Sequence, residues 1–425
     1  MAAGVASHRT LRAAIVASGS ELVRGDRFDR DGPYLASSLL GLGFEPARIT
    51  IVGDDPAELE PALREGLTHD LLVVSGGLGP THDDRTIELL ARAAGVGLHV
   101  EEPLREAIEE RSRAIAARLN RPYADFVEGI VKQATLPDGA LWVGIAGTAP
   151  AVLLETDGSV AVALPGPPRE LRQLWPLVLE TEPLQRLVAR LNPLERRALR
   201  FFGVSESALA RSLASAGGDG DGVDVTICAR DFELHVDLFV QDGADARADE
   251  IEGQLLADAG RYFFSRDDIA TADLVLGLLR ERKLTLATAE SCTGGLVGAR
   301  LTEIPGSSDV YLGGAVAYSN DVKERTLGVP AETLAAYGAV SAETASAMAQ
   351  GARAVFGADV AVAVTGVAGP GGGTPEKPVG LVHVAAAGPM GERDARLDFP
   401  GDRETIRTRA VTLALHLVRR LVTET

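Results

Sequence analysis

The chain has 425 residues, 46% of them apolar and only 4% aromatic. At roughly 150 residues per domain this is enough for about three cores built mainly from Ala, Val, Leu and Ile, as in the buried parallel sheets of α/β proteins. A formal charge of −18 repels phosphate backbones and anionic lipid, which excludes general nucleic-acid and membrane-surface binding.

Between about residues 12 and 177, short β-branched runs alternate with longer helical patterns. Strands are predicted at 13–17, 47–52 and 71–74, with helices at 31–42, 57–67 and 86–94 between them. A charged helix at 101–119, strands at 151–154 and 160–164, and a helix at 169–175 behind Pro165, Pro167 and Pro168 follow. This alternation predicts a doubly wound sheet. Within it, LLVVSGGLGPTHDDRTIE (71–88) runs from strand to glycine-rich turn to paired acids. Backbone N–H groups at Gly76, Gly77 and Gly79 suit a phosphate, and Asp83 and Asp84 suit a hard divalent ion beside it. Glu21, Asp29 and Asp31 form a second acidic group, and Asp54 and Asp55 a third. Singly, each acid also reads as a solvated charge or a helix cap. Their recurrence after successive strand ends points to a ligand site at the edge where such sheets bind ligands.

Texture changes near residue 191. Strands at 196–202, 223–229 and 234–241 and helices at 205–214 and 244–259 make a small α+β unit. AGGDGDGVD (216–224) lacks the acid spacing and closing glutamate of an EF-hand and reads as a mobile loop. From residue 271 the α/β rhythm resumes, with strands at 284–289, 310–318, 360–365 and 381–386 and helices at 272–282, 296–302, 342–356 and 403–423.

Two cysteines, Cys228 and Cys292, make neither a disulfide framework nor a zinc site and read as reduced thiols. The apolar stretch 11–17 is short and is soon followed by Glu21, so no secretory signal is read there. No run approaches the ~18 apolar residues of a membrane span. A soluble, cytoplasmic protein is expected.

The sharpest chemical signal is LTLATAESCTGGLVG (284–298). A buried strand runs into Ser291, two glycines and a helix, which sets the hydroxyl beside a helix N-terminus where free N–H groups favour negative charge. A serine nucleophile needs such a place and a base; the same serine, or Thr293, can equally be a helix cap. YLGGAVAYSNDVK (311–323) places Tyr318 at a strand end and Lys323 in the first turn of a helix capped by Ser319 or Asn320. Desolvation would make that lysine a base, and in solvent it is only a surface charge. VAVAVTGVAGPGGGTPEKPVG (360–380) ends a strand at Thr365 and continues as a glycine-rich loop. Its prolines keep a helix from opening there, so it is not a dinucleotide fingerprint. Cys292 is the rival nucleophile. His383 sits alone on a strand, where histidines are more often structural.

Ser291 in AESCTGG, Tyr318 and Lys323 in YSNDVK, Thr365 in TGVAGPGGGTPEKPVG and Arg403 in GDRETIR resemble the nicotinamide-nucleotide amidase domain. That domain is the C-terminal half of the competence/damage-inducible protein A (CinA) family. The resemblance implies hydrolysis of the amide of nicotinamide mononucleotide to nicotinate mononucleotide and ammonia, without a cofactor. Ser291 would be the nucleophile, favoured over Cys292, with Lys323 and Tyr318 as the base system and Thr365 supporting the site. Thr293, Gly294, Gly295, Gly369, Gly371, Gly372, Arg403 and Arg407 would hold substrate.

In the N-terminal part, GSELVRG (19–25), SGGLGPTHDDRT (75–86) and PGPPREL (165–171) resemble the family's molybdopterin-binding-like domain. That domain is associated with metal-dependent hydrolysis of ADP-ribose to AMP and ribose 5-phosphate. Glu21, Asp29, Asp83 and Asp84 would hold a divalent ion of the Mg, Mn or Co class, with room for a monovalent cation. Gly76, Gly77, Gly79 and Thr86 would contact substrate. Asp31 stands where the family usually carries asparagine, a departure that bears on metal or substrate preference. FFGVSESALA (201–210) resembles the small middle domain, read as a spacer without the basic GxxG loop or stacking aromatics of an RNA binder.

The expected architecture is therefore an α/β molybdopterin-binding-like domain over 1–190, a small α+β domain over 191–265 and an α/β amidase domain over 270–425. The expected partners are small nucleotides, with a homodimer as the assembly. Two alternatives stay open: an N-terminal pterin- or nucleotide-binding module without hydrolysis, and a competence or recombination interaction protein.

Overall fold

The computed structural model describes residues 11–191 and 194–424. Residues 1–10 of the expected first domain, and 192–193 beside its expected boundary, lie outside the described residues. The chain divides into two compact units, one of residues up to 196 together with 239–245, the other of 197–238 and 246 onward.

The first unit is built on a six-stranded sheet in the order Glu45–Val52, Arg12–Ser18, Leu71–Ser75, Val160–Leu164, Ala149–Glu155, Leu141–Ala146. The first four strands are parallel and the last two antiparallel. Register puts Ile15, Val73 and Val162 side by side, and successive residues of a strand face opposite sides. Ile15, Val73 and Val162 accordingly join one core with the helices Asp31–Gly41 and Pro168–Leu179. Val16, Leu72, Val74 and Ala163 join the other, with Pro56–Gly66, Thr86–Ala94 and Glu102–Leu119. Leu71–Ser75 is buried along its whole length, as a strand covered on both faces must be. The predicted doubly wound sheet is present.

In the second unit, Tyr311–Val316, Leu286–Glu290 and Val360–Gly366 run parallel, and Leu381–Gly388 and Gly391–Asp398 complete five strands in antiparallel pairing. Alternation again sorts the faces. Val360, Val362 and Val364 meet the helices Thr271–Glu281, Leu296–Thr302 and Arg403–Thr423. Ala361 and Ala363 meet Ala345, Met348, Ala349 and Ala352 of the helix Ala342–Phe356. A further four-stranded sheet orders Val223–Arg230, Glu233–Val240, Glu195–Phe201 and Phe263–Ser265. Phe202 stacks on His416 of the helix Arg403–Thr423 at 3.8 Å between ring centres, and Phe264 meets the same ring edge-on at 4.6 Å. That helix is therefore buried almost all round over 410–419, as the pattern of an enclosed helix requires. Residues 216–222 form a glycine-rich turn whose Gly220 bridges to Val223.

Candidate active site

Two strand ends carry the candidate chemistry, one in each unit. In the second, Leu286–Glu290 stops at a turn, 291–295, ahead of the helix Leu296–Thr302. Gly294 and Gly295 both take positive φ, 62° and 97°, which only glycine adopts without strain. The turn leaves Ser291 8% exposed, with its N–H on the Val364 carbonyl at 2.9 Å.

Lys323 comes to this serine from the helix Asn320–Leu327, which Ser319 caps by accepting the Val322 N–H. The lysine is 1% exposed. Its Nζ donates to Ser291 Oγ at 3.1 Å and to the Ala317 carbonyl at 2.8 Å. No Asp or Glu bonds to it among the described residues, and burial draws its pKa below the usual lysine value against a smaller opposing pull from Cys292, because an ammonium loses more than an amine on leaving water. Beside it, burial pushes the Cys292 thiol up to about 11, and its side chain belongs to the apolar core. A neutral thiol facing the core is a poor nucleophile.

The surroundings depart from the sequence reading at Glu290 and at Tyr318. Glu290, not an open helix end, meets the N–H groups ahead of Leu296–Thr302. Its Oε2 accepts from Gly295 and Val297, both at 3.0 Å, and its Oε1 accepts from Gly298 at 2.9 Å. The helix N-terminus expected to stabilise negative charge beside Ser291 is thus already occupied by a carboxylate. Tyr318 is 62% exposed, and its hydroxyl accepts from Arg403 Nη2 at 3.0 Å while no hydrogen bond joins it to Ser291 or Lys323. The Thr365 hydroxyl donates to the Ala339 carbonyl at 2.6 Å, so it pins the neighbouring loop.

Arg403 also donates to the Gly369 carbonyl at 2.9 Å, tying the glycine-rich loop to Tyr318. Arg407, one helical turn on, donates to the Thr293 carbonyl at 2.8 Å. Gly371 and Gly372 face open space. Thr293 Oγ1 and Arg407 Nε are buried without a partner, and such atoms cost ~1–3 kcal/mol each unless something pairs them. His383 lies opposite Thr365 on the neighbouring strand, and burial lowers its pKa. No histidine bonds to Ser291 among the described residues.

In the first unit, the strand ends Ser18 and Ser75 open into a cavity of about 820 Å³ lined by Glu21, Asp29, Asp83, Asp84, Gly76, Gly77 and Gly79, among others. Sequence reading gathers these residues, and the fold brings them to one cavity. Gly76 and Gly77 have φ of 101° and 66°, and a Cβ there would meet the Ser18 carbonyl oxygen and Thr86 Oγ1, each at 2.2 Å. Thr86, read as a substrate contact, is fully buried and donates to the Gly76 carbonyl at 2.8 Å. It holds the glycine turn rather than facing the cavity.

Five of the acids, Asp29, Asp31, Asp54, Asp83 and Asp84, are engaged by hydrogen bonds. Asp84 Oδ2 accepts from the Thr81 N–H at 2.9 Å and its hydroxyl at 2.6 Å, and Asp83 accepts from that hydroxyl as well. Asp29 accepts the N–H groups of Asp31 and Gly32 at the start of the helix Asp31–Gly41. Asp54 binds Ser18 and Ser20, which sequence reading did not foresee. Asp31 is 6% exposed, accepts the Ser75 hydroxyl at 2.6 Å and leaves Oδ1 without a partner. Burial raises its pKa against the pull of that hydroxyl.

Hard carboxylate oxygens suit the divalent ion that the resemblance implies. Yet among the described residues no three His, Cys, Asp or Glu side chains gather into a metal-holding group. The set fits an ion held by one or two carboxylates with the remaining ligands from substrate phosphate, as magnesium commonly is, and not a cage supplied by protein alone. No helix among the described residues is long and apolar enough to cross a membrane.

Comparison with known proteins accords with both halves. Residues 268–422 match the family described as CinA C-terminal domain, and residues 14–185 match that described as probable molybdopterin binding domain. The chain is 44% identical over 421 residues to a CinA-like protein of Mycolicibacterium vanbaalenii, covering 97% of this chain and 99% of that protein. A CinA-like protein of Mycobacterium tuberculosis is 41% identical over 421 residues, covering 96% and 97%. Among solved structures, the competence/damage inducible protein CihA from Agrobacterium tumefaciens is 46% identical. It covers 36% of this chain and 93% of its own, with a TM-score of 0.35.

Proposed function

We propose that this chain, which belongs to the CinA family over nearly its whole length, is a cytoplasmic hydrolase of pyridine nucleotides whose C-terminal half cleaves the amide of nicotinamide mononucleotide. The observation that carries the reading is the buried contact of Lys323 Nζ with Ser291 Oγ at 3.1 Å. A serine and a lysine in hydrogen-bond reach are a nucleophile and a base, provided the lysine is neutral when it acts. Burial works toward that.

In the proposed reaction, Ser291 Oγ attacks the amide carbonyl carbon while Lys323 takes the hydroxyl proton. As the C–N bond breaks, that proton passes to the departing nitrogen and ammonia leaves. Water, deprotonated by the same lysine, then cleaves the acyl–serine ester to release nicotinate mononucleotide and restore the serine. One amide and one water give one acid and one ammonia. The Thr293 hydroxyl and Arg407 Nε, both buried and unpaired, are groups a polar substrate would satisfy. Arg403 and Tyr318, joined by a hydrogen bond, would hold the substrate from the exposed side.

For the N-terminal half the proposal is hydrolysis of ADP-ribose to AMP and ribose 5-phosphate in the cavity of the first unit. Gly77 and Gly79 would cradle phosphate, whereas the Gly76 N–H, expected to do the same, is held by the Leu164 carbonyl at 3.0 Å; Glu21, Asp29, Asp83 and Asp84 would supply carboxylates to a divalent ion. That ion would offset phosphate charge; the chain's own part is to bind and orient the diphosphate. The dispersed acids also favour a second reading, a nucleotide- or pterin-binding module without turnover.

Ammonia release from nicotinamide mononucleotide by the full chain tests the amidase. Ser291→Ala is expected to lose at least three orders of magnitude, while Cys292→Ala keeps most of the rate. The reverse pattern would move the nucleophile to Cys292.

A further inference from the structure

The first unit's cavity is lined by eight carboxylate residues: Glu21, Asp26, Asp29, Asp31, Asp54, Asp83, Asp84 and Glu170. Against them stand two cationic lining residues, Arg27 and Arg30. Both are exposed, and no side-chain hydrogen bond or ion pair of theirs is present among the described residues. Between them sits Phe28, 91% exposed and lining the same cavity. A lone apolar side chain on a surface needs no explanation. This one differs by its place, at the lip of a cavity with phosphate-suited glycines, flanked by the cavity's two guanidiniums.

We propose that Arg27, Phe28 and Arg30 form a nucleotide-recognition lip in which the phenyl ring stacks on the base of a nucleoside diphosphate and the two arginines draw in its phosphates. This rests on the reading of the first unit as a nucleotide site and names what selects the ligand there. An anion approaching this acidic cavity is repelled by its carboxylates, and among the lining residues Arg27 and Arg30 supply the compensating cationic side chains. Guanidiniums pair well with phosphate oxygens. The exposed phenyl face gives a base a surface to cover, and stacking accepts any base because each has a π face. The cavity's volume, about 820 Å³, lies in the upper range of small-molecule sites, where a ligand of nucleotide size fits. The lip thus assigns a polarity to the ligand: base outward on Phe28, phosphates inward toward Gly77 and Gly79.

Calorimetric titration of the full chain with ADP and with inorganic pyrophosphate, each with magnesium, tests this. Phe28→Ala is expected to weaken ADP roughly tenfold or more and leave pyrophosphate unchanged, while Phe28→Trp restores ADP. Arg27→Ala with Arg30→Ala is expected to weaken both ligands. Thermal unfolding transitions unchanged from the parent confirm that the first unit is folded in each variant. If Phe28→Ala binds ADP like the parent, or loses pyrophosphate equally, the stacking role is overturned while the nucleotide site stands. If the parent binds neither ligand, the nucleotide reading of the first unit falls and the lip with it.

Discussion

A lysine 1% exposed and bonded to a serine hydroxyl is a different reagent from one in solvent. Its pKa is lowered by burial, which outweighs the opposing pull of Cys292, so the neutral form that can accept a proton gains population as pH rises. The amidase rate should therefore increase with pH through a pKa below the ordinary lysine value and level off above it. Lys323→Arg keeps the positive charge but removes a group able to deprotonate near neutral pH, and is expected to lose roughly as much activity as Lys323→Ala. Substantial activity in Lys323→Arg would make the lysine an electrostatic support. Ser291 and Lys323 are legible in the sequence because a strand–turn–helix motif and a short capped helix fix where each begins. The partners of Tyr318 and Thr365 are not. The acceptor of the Thr365 hydroxyl is a carbonyl 26 residues away, and that of Arg403 is a hydroxyl 85 residues away.

Most elements appear where hydrophobic periodicity predicts them, and the exceptions have physical reasons. The helix predicted to stop at Trp175 continues to Leu179 through Pro176, because Leu171, Leu174, Trp175 and Val178 are all buried on one core. That packing offsets the backbone hydrogen bond a proline cannot make. Gly391–Asp398 is an edge strand, exposed along most of its length, so it carries no apolar alternation to read. At the nucleophile turn, the sequence shows Glu290 beside Ser291 but not that its carboxylate reaches three N–H groups up to eight residues ahead. Glu290→Gln keeps the size yet turns one acceptor into a donor facing backbone N–H, leaving at least one of those groups unpaired. The turn should shift and kcat fall on the order of 10- to 100-fold, with KM and the pH profile of Lys323 little changed. A loss confined to thermal stability would reduce Glu290 to a structural cap.

Across the second unit, one buried cluster joins sequence regions read as separate domains. Glu233 accepts from the Thr271 hydroxyl and from His416 Nε2 at 2.7 Å, while Arg419 Nε donates to His416 Nδ1 at 3.3 Å. Burial alone would raise the Glu233 carboxyl, but the His235 imidazole at 3.5 Å and the hydrogen bonds from His416 and Thr271 bring it down to about 2 from 4.5. Its contribution is therefore present above the unfolded pKa of 4.5 and is lost as pH falls toward 2. Burial lowers the pKa of His416; the unfolded chain protonates first, so stability also falls as pH drops below about 6.5. Urea midpoints between pH 7 and pH 3 should decline accordingly, and Glu233→Gln should flatten the acid limb. An unchanged acid limb in that variant would remove Glu233 from the cause. The composition of 191–265 shows an α+β pattern but not the face it covers, since that depends on which side of the helix Arg403–Thr423 remains open. The central claim, a serine–lysine amidase that needs no metal, is tested most directly by ammonia release from nicotinamide mononucleotide with excess chelator. Full activity in the parent protein and none in Ser291→Ala is the expected result; loss of the parent's activity to the chelator, or its persistence in Ser291→Ala, would contradict it.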